Sequence, residues 1–268
     1  MIVTILGVKV DLLSRDESLR VIEDFLKESP GKRMKMVATA YSEFFVRAQK
    51  DERFKDVLNK ADLVTPDGIS VLAANWFNNE ARGKCFFKKI SLGWQVGSKI
   101  LRSEIGRPVT GVFLFDSLTR KAVDRGWRVF LLGGLPGTAQ RVSEKLKRDY
   151  PGMLVEFDEG ERVVGSKASE NERVIEKINR FKPDILCVAY GPVKQEKWIF
   201  EHRGKLKAKL AIGLGGTFNE YLGDVAAAPE WMEKMGLKWL WRVIKEPKRL
   251  GRIWRAVVVF PWLVYTSK

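Results

Sequence analysis

Ile185-Leu186-Cys187-Val188-Ala189, then Tyr190, then Gly191-Pro192-Val193-Lys194-Gln195-Glu196, is the stretch from which the fold is read. Five apolar residues in an unbroken run predict a strand buried on both faces, as strands in parallel sheets are. Gly191-Pro192 is a tight turn, and the residues after it open a helix that carries Trp198, Ile199 and Phe200. A helix start directs free N–H groups and a partial positive charge outward, so Lys194 and Gln195 suit a phosphate or a sugar diphosphate there. A polar connection whose Lys194 and Glu196 are merely solvated fits the segment equally well.

Working outward, the same alternation recurs. Ile2 to Val10 reads as one or two short strands with a turn at Gly7, and Ser14 with Glu17 forms a capping box for a helix to about Glu28, closed by Pro30-Gly31. Met34 to Thr39, Asp62 to Thr65, Val129 to Leu132, Leu154 to Phe157 and Leu210 to Leu214 are further strands. Helical segments run to Asn59, from Gly111 to Arg125, to about Tyr150, over Glu172 to Phe181 and through Leu206. Strands alternating with helices predict an α/β fold with a mostly parallel sheet and helices on both faces. Residues 81–109 are basic, glycine-bearing and less periodic, and read as partly mobile.

The 268 residues, 45% apolar and 11% aromatic, suffice for one large domain plus a small appendage. Cys85 and Cys187 stand far apart in unlike surroundings, which gives neither a disulfide framework nor a zinc pattern and fits a reducing cytoplasm. The N-terminus has no signal-peptide pattern. The net charge of +15 predicts attraction to polyanions, and residues from Pro229 onward carry nine Lys or Arg against three Glu.

Thr39 and Asp67 lie at or just beyond the C-terminal ends of strands, where open α/β sheets gather ligands. A carboxylate in a Pro66-Asp67-Gly68 turn serves local backbone N–H groups in most proteins. Facing the same edge as Thr39, it is also placed to take a proton from a sugar hydroxyl. Three small-residue loops share that edge: 133–138 with Gly133, Gly134 and Gly137; 191–196; and 215–219 with Gly215, Gly216 and Thr217. Together they describe a nucleotide-sized crevice. The spacing is not the dinucleotide G-x-G-x-x-G, and no acidic residue stands clearly at the end of the following strand, which weakens a nicotinamide enzyme.

Ile5-Leu6-Gly7-Val8, Ala61-Asp62-Leu63, Pro66-Asp67-Gly68-Ile69, Leu131-Leu132-Gly133-Gly134, Gly191-Pro192 with Lys194-Gln195-Glu196, Gly215-Gly216-Thr217-Phe218, Ala228-Pro229 and Arg242 to Arg252 occur in an order that resembles the WecG/TagA/CpsF glycosyltransferases along nearly the whole chain. The resemblance implies a Rossmann-like core over residues 1–228 and a C-terminal basic amphipathic helical appendage over 229–268. It implies an inverting transfer of an N-acetylmannosamine-type sugar from a UDP-sugar to an undecaprenyl-diphosphate-linked (polyprenyl-linked) glycan acceptor, with no cofactor or metal. The absence of any D-x-D pair agrees. Carried over, Asp67 matches the general base and Thr39 its neighbour; Gln195 matches a residue near the donor; Arg242, Arg249 and Arg252 match arginines that close over the diphosphate. The chain departs from the family pattern at Tyr41, where an amide is usual, at Val112-Phe113, where an acid follows Thr-Gly, and at Ala227, where an arginine precedes Ala-Pro.

From Lys248 on, cations fall on one helical arc and Leu250, Ile253, Trp254, Val257 and Val258 on the other. Ala256 to Tyr265 is apolar but broken by Pro261 and shorter than the ~20 residues that span a bilayer. An interfacial helix on an anionic leaflet is therefore expected, with the protein peripheral on the cytoplasmic face of the plasma membrane; the alternative is a helix docked on the protein's own core with its charges solvated. Self-association is another way to hide the apolar arc. The rival functional reading, a basic nucleic-acid-binding α/β protein without activity, uses the tail but leaves the loops and Asp67 idle.

Overall fold

The computed structural model describes residues 1–28, 33–160, 168–224, 229, 231, 232, 235, 238–245 and 250–267. After an antiparallel hairpin of β1 (Ile2–Ile5) and β2 (Val8–Asp11), six strands form one parallel sheet: β3 (Lys35–Ala40), β4 (Leu63–Pro66), β5 (Val129–Gly133), β6 (Val155–Asp158), β7 (Ile185–Ala189) and β8 (Leu210–Gly213). Their order is β4-β3-β8-β7-β5-β6. In the hairpin turn Leu6 and Gly7 both have positive φ, 48° and 77°, the backbone that a two-residue turn between twisted strands needs.

Side chains alternate between the faces of a strand, so neighbouring residues enter different cores. Val37, Leu131, Cys187 and Ile212 pack under α1 (Arg15–Lys27), α6 (Gly111–Arg125), α7 (Thr138–Asp149) and α10 (Thr217–Tyr221). Met36, Leu132, Val188 and Ala211 pack on the opposite side, under α8 (Ala168–Phe181) and α9 (Lys194–His202). A third cluster joins Ala38, Ala40 and Val64 to α2 (Ser42–Ala48), α3 (Glu52–Asn59), α4 (Ile69–Ala81), α5 (Phe86–Leu101) and the C-terminal Phe260 and Val264. The capping box on α1 forms as expected, with Glu17 N–H donating to Ser14 Oγ and Ser14 N–H to the Glu17 carboxylate.

Three expectations are corrected. Residues 86–101 form the 16-residue helix α5. Its apolar residues lie on two faces and it contains Gly93 and Gly97, which obscured the one-sided period used to recognise a helix. Helix α9 ends at His202, followed by turns through Lys205 and Leu206. The C-terminal chain is not interrupted at Pro261: after α11 (Lys238–Lys245), α12 (Leu250–Trp254) continues through a π-helical turn at Arg255–Val259 into α13 (Phe260–Thr266). A proline lacks its N–H and crowds the preceding turn; with Pro261 at the start of α13, the wider π turn just before it accommodates both defects. Pro30-Gly31, Ala227 and the expected boundary at 228 lie outside the described residues.

The tail docks through Phe260 and Val264, buried in the third cluster, and through one buried carboxylate. Glu43, fully buried near the start of α2, accepts from Arg252 Nε at 2.9 Å, Arg255 Nη2 at 2.9 Å, and Arg47 Nε and Nη2 at 3.0 and 2.9 Å. Arg252 Nη2 also donates to Tyr41 Oη at 2.5 Å, and Tyr41 Oη donates to Glu43 at 3.1 Å. The two tail arginines therefore point inward, while Leu250, Trp254, Val257 and Val258 are exposed. Burial alone would push Glu43 up, but the hydrogen bonds from Arg252 lead the opposing interactions and hold it at about 2, against an ordinary 4.5.

A carboxylate whose folded pKa is depressed contributes stability that is complete above its unfolded pKa and disappears as pH falls through the folded one. The tail is therefore expected to loosen from the core between about pH 4.5 and 2, read by hydrogen exchange over residues 250–267. Glu43→Gln should loosen it at neutral pH, with a cost of about 2 kcal/mol because the half-exposed arginines regain water. Unchanged exchange in that variant would contradict the docking role.

Candidate active site

The C-terminal ends of β3, β4 and β8 meet the N-terminus of α6. The register pairs Thr39 with Thr65 and Ala40 with Pro66, which puts Asp67 immediately past Thr39 along the same edge. Asp67 N–H donates to Ala40 O at 2.9 Å, and the Asp67 carboxylate accepts the N–H of Gly111, the first residue of α6, at 3.3 Å. An anion at that point faces the positive end of a 15-residue helix. Thr39 Oγ1 donates to Gly213 O at 3.0 Å, tying β3 to β8 where the two strands end.

Gly111 is required by close approach. A Cβ there would stand 2.9 Å from Thr217 Oγ1 and 3.6 Å from Thr39 Oγ1. The structure thus brings Asp67, Thr39, Thr217 and the α6 N-terminus into one cluster. Thr110 caps the same helix by accepting from Phe113 N–H, so Thr110-Gly111 serves both the helix start and the site.

The glycine loops are built differently from the expectation. Gln195 is 2% exposed and has both amide atoms engaged: Oε1 accepts from Gly215 N–H at 2.9 Å, and Nε2 donates to Glu196 Oε1 at 2.6 Å. It shapes the Gly215-Gly216 loop from behind. Gly213 is glycine for the same reason, since a Cβ would lie 2.5 Å from Glu196 Oε1. Glu196, fully buried, accepts from Val193 N–H at 2.7 Å, and Val193 is held at φ 72°, a strained backbone for a β-branched residue. Lys194 is exposed at the start of α9.

The protein's own carboxylates therefore occupy helix starts where a phosphate was expected. Glu196 serves α9, and Glu159 serves α7 by accepting from Gly137 N–H at 3.1 Å and Gln140 N–H at 3.3 Å. Glu159 and Asp158 also correct the reading that no acid ends the strand after the glycine turn, because β6 extends one residue further than expected and stops at Asp158. Asp158 is bound by Arg173 and Lys177. Gly133 and Gly134 have φ of 84° and 100°; a Cβ on them would meet Tyr190 and Thr138, with Phe218 next to Gly134, so this loop packs against the turns after β7 and β8. A surface depression of about 260 Å³ lined by Arg141, Glu144, Lys145, Arg148 and Leu222 belongs to the flank of α7 and uses none of these loops.

Among the expected arginines, Arg252 reaches the edge through Tyr41, the residue directly after β3, over whose ring its guanidinium lies at 5.9 Å. Arg242 belongs to α11, with its side chain outside the described residues, and Arg249 lies wholly outside them. Sequence reasoning gave Glu43 no role, although an acid at the start of a helix in a strongly basic chain and its place in Thr39-Ala40-Tyr41-Ser42-Glu43, which resembles the family's pattern, both pointed to it. Among the described residues no three imidazole, thiol or carboxylate groups converge as metal ligands.

Comparison with known proteins follows the same outline. The chain is 28% identical over 226 residues to an N-acetylglucosaminyldiphosphoundecaprenol N-acetyl-beta-D-mannosaminyltransferase of Bacillus spizizenii, covering 84% of this chain and 75% of that protein. A protein of the same description from Staphylococcus aureus (strain MRSA252) is 24% identical over 266 residues, 99% of this chain and 93% of the relative. A sequence profile described as the glycosyl transferase WecG/TagA/CpsF family matches residues 3–86 and 90–268. With the fold, the ordered motifs and a match over almost its whole length, the chain belongs to the WecG/TagA/CpsF family of glycosyltransferases.

Proposed function

We propose that the protein transfers an N-acetylmannosamine-type sugar from its UDP donor to an N-acetylglucosaminyl diphosphate lipid of the undecaprenyl type, with inversion and without a metal. The observation that carries this reading is the Asp67 carboxylate set between Thr39, Gly111 and Thr217 at the sheet edge. Asp67 takes the proton of the acceptor hydroxyl as its oxygen bonds to the anomeric carbon of the donor. The bond from that carbon to the diphosphate oxygen breaks on the opposite face, and UDP leaves with the electron pair. Arg242 and Arg249 from the appendage and the Gly215-Gly216 loop neutralise the leaving diphosphate, while Arg252, held on Glu43 and Tyr41, fixes the appendage beside the edge. Glu159, bound to Gly137 N–H just past the end of β6, stands where α/β nucleotide sites place the acid that takes ribose hydroxyls.

The lipid acceptor calls for work at a membrane surface. No helix among the described residues is long and apolar enough to cross a bilayer. The exposed Leu250, Trp254, Val257 and Trp262 support a peripheral contact on the cytoplasmic leaflet through the tail. With Arg252 and Arg255 turned onto Glu43, the tail offers them to the core and not to a nucleic acid strand.

Three outcomes are expected. UDP release from UDP-N-acetylmannosamine should require the lipid-diphosphate acceptor and persist in a chelator; acceptor-dependent release that stops on chelation would overturn the metal-free reading. Asp67→Asn keeps an oxygen for Gly111 N–H but cannot accept the proton, and should lower kcat by about 10²–10⁴ with UDP still raising Tm. Near-normal turnover would remove Asp67 as base. Glu196 is pushed up to about 7 by burial, against the pull of the Gln195 hydrogen bond. Its folded pKa exceeds the ordinary 4.5, so its contribution to stability is complete below 4.5 and is lost as pH rises to about 7. Glu196→Gln should flatten that decline in Tm between pH 5 and 8.

A further inference from the structure

Helix α5 has two apolar faces. At 100° per residue, Leu92, Val96 and Ile100 fall on one arc, and this side is buried or half-buried, with Leu92 and Val96 in the cluster that also holds Phe77, Phe260 and Val264. Phe87, Ile90, Trp94 and Leu101 fall within an arc of about 60° on the other side. These four are 80, 42, 81 and 52% exposed. The outer row extends over about 21 Å of helix, since each residue rises 1.5 Å. Single exposed apolar residues are ordinary, but an aligned row with two large aromatics marks a surface that is covered in use.

The charges around this row identify what covers it. Residues 81–103 contain Arg82, Lys84, Lys88, Lys89, Lys99 and Arg102 and no Asp or Glu. Lys84 pairs with Glu80 and Lys99 with Glu104, while the exposed Arg82, Lys88 and Arg102 make no ion pair with a described carboxylate, and Lys89 falls on the inner arc. A second copy of this chain would set one basic rim against another, in a protein already carrying +15. An anionic bilayer instead supplies acyl chains for the aromatics and phosphates for the cations.

The position of the helix gives the contact a purpose. Helices α4 and α5 form a hairpin inserted between Asp67 and Gly111, the two residues joined by the hydrogen bond at the candidate base. Helix α4 starts two residues after Asp67, and the chain returns through Val109, whose N–H donates to Pro66 O at 3.0 Å. We infer that the outer face of α5, through Phe87, Ile90, Trp94 and Leu101 with the flanking Lys88 and Arg102, is a membrane-docking surface for anionic lipid, separate from the C-terminal tail. It seats the hairpin rooted at Asp67 against the leaflet that holds a lipid-linked acceptor. The contact rests on the membrane location proposed above and not on the transfer reaction, so its test uses no sugar.

Cys85 is exposed one residue before α5 and Cys187 is buried, so a polarity-sensitive thiol dye on the full chain reports from the α5 N-terminus. On vesicles of phosphatidylglycerol and phosphatidylcholine the dye emission should shift to the blue, and on phosphatidylcholine alone it should stay in place. Ile90→Ser/Trp94→Ser, with its Tm compared to the parent, should abolish the shift and weaken sedimentation with the anionic vesicles by about tenfold or more. Lys88→Glu/Arg102→Glu, which leaves every apolar side chain in place, should weaken binding in the same direction. Co-sedimentation without a dye shift would mean that the tail alone meets the lipid and would overturn the inference. Variants that become smaller in sedimentation velocity at unchanged vesicle affinity would assign the face to self-association and overturn it equally.

Discussion

The hydrogen bond from Gly111 N–H to the Asp67 carboxylate is the constraint on which the candidate site depends. Between these residues the chain leaves the sheet, builds the hairpin of α4 and α5, and returns to begin α6. The bond closes that excursion at its root and sets the positive end of α6 against the carboxylate. It also fixes Gly111 close to Thr39 and Thr217, so only a residue without Cβ fits. One contact thus determines the distance between β4, β3 and β8 at the edge where chemistry is expected.

Around this contact, carboxylates do structural work that in many nucleotide-binding folds falls to the ligand. Glu196 and Glu159 take the free N–H groups at the starts of α9 and α7, and Gln195 holds Gly215 from below. The loops are therefore pre-shaped before any donor arrives, which lowers the ordering cost of binding. Strain at Val193 is sustained by the same arrangement: its N–H is bound to a buried Glu196 that cannot move without unseating Gln195 and the β8 loop.

The appendage follows an equally local logic. A fully buried Glu43 with several arginine donors is tolerated because each oxygen is satisfied. It turns Arg252 and Arg255 toward the core beside the buried Phe260 and Val264, and leaves Leu250, Trp254, Val257, Val258 and Trp262 outward. Tyr41, a departure from the family pattern, takes part by accepting from Arg252, so the change of residue has a structural partner.

The parallel sheet was legible in the sequence, because central strands buried on both faces leave unbroken apolar runs such as Ile185 to Ala189 and Val129 to Leu132. Loop positions followed from glycine and proline, and Asp67 with Thr39 from their places at strand ends. Helix α5 was not legible, since two apolar faces on one helix erase the one-sided period. The partners of Gln195, Glu159, Glu196 and Glu43 were not legible either. Those of Gln195, Glu159 and Glu43 include residues distant in sequence, as far as the 209 positions between Glu43 and Arg252. Glu196 is held by its neighbours Val193 and Gln195 in a strained turn that the sequence pattern does not show. A sequence records which groups want partners; only the packed chain decides whether a buried carboxylate meets a helix end, an amide or an arginine, because that depends on which elements share an edge.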